Sequence, residues 1–225
     1  MRAFLLNICS GAIWGIVLLE AVLAGLLFVH WKKNKQPVAL LTFFVALGLI
    51  LDALIIGMGS MLHAEVLKAI SPVRFIAHGF LIPLLFPICG YALKLKEPVM
   101  KVLWIVTGVL MAAGAAEGFC TVLEMKEMAG VIRFVSSEGT PKWADLISKL
   151  LSFGTVIPMM IIGVLVWIRQ KNLHLFLSGL LMFVFSALGP ATGNADLIFF
   201  ISMFGELFMI FFLYLFVKKQ QESDL

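Results

Sequence analysis

Six ionisable side chains, Glu20, Asp52, Arg74, His78, Glu117 and Glu206, stand inside long apolar runs of this 225-residue chain. In "SPVRFIAHGFLIP" (71–83) Arg74 and His78 are four residues apart, the spacing that puts two side chains on one helix face. A fixed cation beside a titratable ring, with carboxylates on other segments, can form buried ion pairs, relay protons or hold a charged solute. The four acids outnumber the one arginine and one histidine, so pairing alone does not neutralise them. A surplus of this kind serves proton or cation binding in transport proteins.

Other chemistries find less support in the sequence. Catalytic zinc sites bring two or three histidines, yet of the four histidines only His78 falls within an apolar run, with His30, His63 and His174 at run ends. There is no GxSxG and no HExxH, and Cys9, Cys89 and Cys120 lack CxxC spacing. A metal is therefore not expected. Residues 196–217 hold no lysine, so a retinal Schiff base of the microbial-rhodopsin kind has no attachment point there, and no cofactor is expected. The paired Pro-Gln motifs of small three-plus-one-plus-three sugar transporters are also missing.

The elements that must position these groups are set by composition. The chain is 62% hydrophobic and 13% charged, against about 45–50% and about 25% for a soluble domain. With so few charges it cannot cover a water-facing surface of its size. Backbone groups in lipid must be satisfied internally, and continuous runs near 20 residues specify helices rather than the alternating strands of a barrel. The expected fold is an all-α integral membrane protein, a single domain (1–225) of seven transmembrane helices near 8–29, 38–61, 73–93, 100–123, 146–168, 173–190 and 196–217. The N-terminal run resembles a signal peptide but continues through Val29 into "HWKKNK", which argues against cleavage.

The net charge of +4 does not indicate a nucleic-acid partner, because the basic residues cluster between apolar runs. Lys32, Lys33, Lys35, Lys94, Lys96, Lys101, Arg169, Lys171, Lys218 and Lys219 fall on one side of the seven-span arrangement, with only Glu97, Glu222 and Asp224 opposing them. The other side balances seven basic residues with six acids. The first side is expected to be cytoplasmic, with the N-terminus outside and the C-terminus inside, in the plasma (inner) membrane.

This orientation puts Asp52, Arg74, His78, Glu117 and Glu206 between the midplane and the outer face, with Asn194 and Asp196 at the mouth of the last span. The expectation is an outward-open polar pocket in which Arg74 pairs with Asp52 or Glu117, and Glu20 has no obvious partner. Prolines 83, 87, 158 and 190 are expected to kink or end their helices. "AAGAAEGF" (112–119) provides small residues for close helix approach. Residues 124–145 are expected to form a solvated loop with a turn of helix, or else a lid.

Three functions fit these features: a small-solute or proton/cation-coupled transporter, an intramembrane hydrolase of a lipid-like substrate with or without a metal, and a sensor or accessory protein whose polar core is structural. The surplus of acids favours the first. The expected partners are the lipid bilayer and a small-molecule or cation ligand, and the sequence does not specify an oligomeric state.

Overall fold

Apolar runs long enough to cross a bilayer become helices because only a helix satisfies its own backbone there. The computed structural model describes residues 2–128, 130–191 and 193–224. Its helices are α1 (Arg2–Asn34), α2 (Pro37–Gly57), α3 (Ala64–Ile70), α4 (Pro72–Leu81), α5 (Leu85–Ala92), α6 (Glu97–Cys120), α7 (Lys142–Gln170), α8 (His174–Ala191) and α9 (Ala195–Asp224). Among the described residues, six helical segments have the length and apolarity to span a membrane, and the helix at His174–Leu188 is a shorter apolar one. The protein is a helical membrane bundle. Exposed apolar side chains cover its outside, for example Leu18 and Val22 on α1, Ile105 and Val109 on α6, and Ile157 and Ile161 on α7.

The third span is a composite of α3, α4 and α5 and runs from Ala64 to Ala92, beginning earlier than the expected residue 73. Between α4 and α5 it tightens into a 3-10 turn at Ile82–Leu84 while the backbone stays right-handed helical. Pro83 and Pro87 lie four residues apart, and each removes a backbone donor. By contrast, α7 runs without a break through Pro158.

The helices meet through small residues. α4 crosses α6 where Gly79 faces Gly114, and a methyl added to either glycine would strike the carbonyl of the other. Gly118 abuts the backbone of Ile76 in the same way. Pro83 has no N–H to offer the Gly79 carbonyl, and that carbonyl lies against the α-carbon of Gly114. At one end of the bundle, Asn34 and Gln221 exchange amide hydrogen bonds of 3.0 and 2.9 Å, tying α1 to α9. The connections at this end leave Lys35, Lys94 and Lys171 with positive φ of 56°, 53° and 55°, a helix-ending geometry that suits glycine better.

At the opposite end the helical bundle carries one small β element. In place of a solvated loop with a turn of helix, β1 (Leu123–Met128) pairs antiparallel with β2 (Val131–Ser136) as a hairpin, in the register Met128↔Val131 to Leu123↔Ser136. The β-branched and aromatic residues of "VIRFVS" favour a strand, and Gly130 supplies a positive φ of 77° at the reversal. Both faces of β2 are used. Val131 packs with Cys9, Ile13 and Phe199, and Phe134 packs with Ile55 and Leu67.

The hairpin lies so close to Gly59 that a Cβ there would collide with the Ile132 carbonyl. Gly59→Val is therefore expected to lift the hairpin while sparing the helices. Limited trypsin digestion of folded protein checks this: cleavage after Lys126 or Arg133 should accelerate, and an unchanged cleavage rate would contradict the docking.

Candidate functional site

Under the hairpin, between α2, α4, α6, α7 and α9, lies a cavity of about 200 Å³ lined by Asp52, Arg74, His78, Glu117, Arg133 and Glu206, with Ser148, Ser152 and Ser202 among its other residues. A second cavity of about 350 Å³ adjoins it and is mostly apolar, with Leu49, Ile82, Leu85, Phe153, Val156, Met182, Phe183 and Met209 on its wall. His78, Ser148, Ser152, Ser202 and Glu206 line both. Phe153 and Phe183 are exposed, so the apolar chamber reaches the bundle surface.

The chain builds this site from its helix contacts. The crossing at Gly79 and Gly114 places His78 on α4 and Glu117 on α6 beside one cavity. One turn before His78, Arg74 reaches α2. Its Nε donates to Asp52 Oδ1 at 2.9 Å and an Nη to Oδ2 at 3.3 Å, a two-pronged ion pair. The other Nη donates to the Phe134 carbonyl at 3.4 Å, which fastens the hairpin to the same pair. Glu117 accepts a hydrogen bond from Thr121 at 3.1 Å, and Ser148 also bonds it.

Three other groups at the cavity carry unmet hydrogen-bonding capacity among the described residues. Among the described residues, neither His78 nor Glu206 makes a protein hydrogen bond, although both face the two chambers. Arg133 enters from β2 with a buried Nε that has no partner. Its guanidinium lies 4.3 Å from the centre of the Phe199 ring, a cation–π contact. Burial, reinforced by the like charge of Arg74, pushes Arg133 down to about 10, while Asp52 and Glu206 pull the other way. It remains cationic at neutral pH.

Of the residues expected at the site, Asp52, Arg74, His78, Glu117 and Glu206 converge on one cavity. Asn194 and Asp196 do not line it. Asn194 Oδ1 accepts from the Asp196 backbone N–H at 3.0 Å at the start of α9, in a capping arrangement. Glu20 is fully buried, and neither carboxyl oxygen has a hydrogen-bond partner. It lies within the electrostatic reach of Asp52 and Glu206.

Arg133 is the cavity residue that the sequence does not single out, because its segment reads as a solvated loop. The signal available was the strand-forming "VIRFV" immediately after a glycine. Two of the three cavity serines donate within their own helices, Ser152 to the Ser148 carbonyl at 3.0 Å and Ser202 to the Phe199 carbonyl at 2.9 Å. Among the described residues no serine bonds to His78, and no three of His, Cys, Asp and Glu are grouped as metal ligands.

The fold and cavity define a polytopic helical membrane protein with a charged chamber inside the bundle. No protein-family model matches the chain, and no curated protein matches it.

Proposed function

We propose that the protein is a transporter that binds a small solute in the charged chamber and moves it across the plasma (inner) membrane, with carboxyl groups such as Glu206 carrying the coupling proton. The observation behind this reading is the meeting of His78 and Glu206, which make no hydrogen bond among the described residues, with Arg133, whose buried Nε has no partner, in a cavity next to a helix with a 3-10 turn in its middle. A purely structural polar core would satisfy its own members. A stretch of 3-10 turn in the middle of a helix often marks a functional hinge. The distribution of lysine and arginine supports a cytoplasmic location for the end opposite the hairpin, so the chamber is entered from outside.

Alternating access gives a test that requires no known substrate. In a chain with Cys9, Cys89 and Cys120 replaced, Ser202→Cys reports from the cavity wall. A membrane-impermeant thiol reagent is expected to modify it in right-side-out and in inverted vesicles. Modification from one face only would overturn transport and leave a fixed binding pocket.

A further inference from the structure

We infer that the solute is a single-chain amphiphile with an anionic head, carboxylate or phosphate, its head held by Arg133 in the polar chamber and its hydrocarbon chain in the adjoining apolar one. This deepens the transport reading and rests on the same cavity.

The argument begins with the charges facing the polar chamber. Asp52 and Arg74 neutralise each other through two hydrogen bonds. Glu117 is held by Thr121 and Ser148. Arg133 is different, since it lines the cavity with no salt bridge to a carboxylate among the described residues, its buried Nε has no partner, and it lies against the face of Phe199. A guanidinium beside a cavity without a bridging carboxylate is complementary to a carboxylate or phosphate. Glu206 stands at the junction of the chambers with His78 and three serine hydroxyls. In its acid form it donates a hydrogen bond to an anionic head, so anion and proton occupy the site together.

The apolar chamber sets the other end of the ligand. Most of its exposed wall is apolar, from Leu49, Ile82, Leu85, Val156, Met182 and Met209; of its other polar lining, Lys149 is paired with Asp145 and Thr155 with the Leu151 carbonyl. At about 350 Å³ it is larger than the head chamber of about 200 Å³, and the two together fall within the roughly 300–1,000 Å³ of small-molecule sites. Because it reaches the bundle surface at Phe153 and Phe183, a chain can enter from the bilayer.

The test measures equilibrium binding of radiolabelled laurate to the full chain in phosphatidylcholine nanodiscs, with empty discs subtracted. Unlabelled laurate, dodecyl phosphate and 1-dodecanol serve as competitors. Saturable binding is expected, displaced by dodecyl phosphate and far less by dodecanol. Arg133→Gln should weaken binding by about tenfold or more, Arg133→Lys should restore most of it, and Met182→Trp, which fills the apolar chamber, should abolish it. The stronger displacer of the two anions identifies the head as carboxylate or phosphate. Equal laurate binding by the wild type and Arg133→Gln would overturn the inference, and so would dodecanol competing as well as the anions. If Arg133→Gln does not fold, the lysine and tryptophan variants still decide. Laurate binding with one-sided access at Ser202 would retain the ligand and refute transport; two-sided access without laurate binding would do the reverse.

Discussion

Arg74→Leu is expected to destabilise the protein by about 3–5 kcal/mol, while Asp52→Leu combined with Arg74→Leu should come close to wild-type stability. The asymmetry follows from what each change leaves behind. Arg74 is 5% exposed and Asp52 13%, so the single substitution strands a carboxylate in a low-dielectric interior with both guanidinium bonds gone. The double substitution removes the charge and its partner together. Hydrogen bonding alone would predict a smaller loss, since interhelical bonds in membrane bundles average about 0.6 kcal/mol. Reversible unfolding in mixed micelles distinguishes the two cases. A single variant as stable as the wild type would mean that the pair does not hold α4 to α2. The double variant also tests function: Arg74 fastens the hairpin through the Phe134 carbonyl, so a stable double variant that has lost substrate handling would assign the pair a role in positioning Arg133.

The sequence and the structure agree where physics is local. Apolar runs in lipid have no alternative to helix, and the four-residue spacing of Arg74 and His78 fixes their common face, so the convergence of Asp52, Arg74, His78, Glu117 and Glu206 could be anticipated from depth and spacing. The hairpin was not legible in this way. Residues 123–136 combine charged and apolar positions, a pattern shared by solvated loops, and the burial of Val131 and Phe134 depends on distant partners such as Phe199 and Leu67. Arg133 could not be assigned to the site before the hairpin was seen to fold inward. Asn194 and Asp196 stand at the head of the last span, as the apolar pattern places them, and there "GNAD" also encodes the helix cap that forms. Glu20 had no obvious partner in sequence, and both of its carboxyl oxygens lack one in the fold.

Gly114→Ala is expected to be among the most damaging single-methyl changes in the bundle, whereas Gly108→Ala, six residues earlier on the same helix, should be neutral or stabilising. In an otherwise unconstrained helix this substitution gains roughly 0.5–1 kcal/mol, because alanine loses less backbone freedom than glycine. At Gly108 nothing lies within 4 Å of the added methyl, so that gain should be realised. At Gly114 the methyl meets the backbone of Gly79, not the end of a flexible side chain, and no rotamer change can relieve it. Relief requires α4 and α6 to separate, which also pulls apart Gly118 and Ile76. Overpacking costs about 1–3 kcal/mol where side chains can adjust, and a backbone contact should reach the upper end of that range or exceed it. The displacement carries His78 away from Glu117, so a Gly114→Ala protein that still folds should bind its substrate more weakly, while Gly108→Ala binds normally. Unfolding measurements on the two variants should therefore differ in sign, and equal stability would mean that the α4–α6 crossing is not what sets the geometry of the chamber.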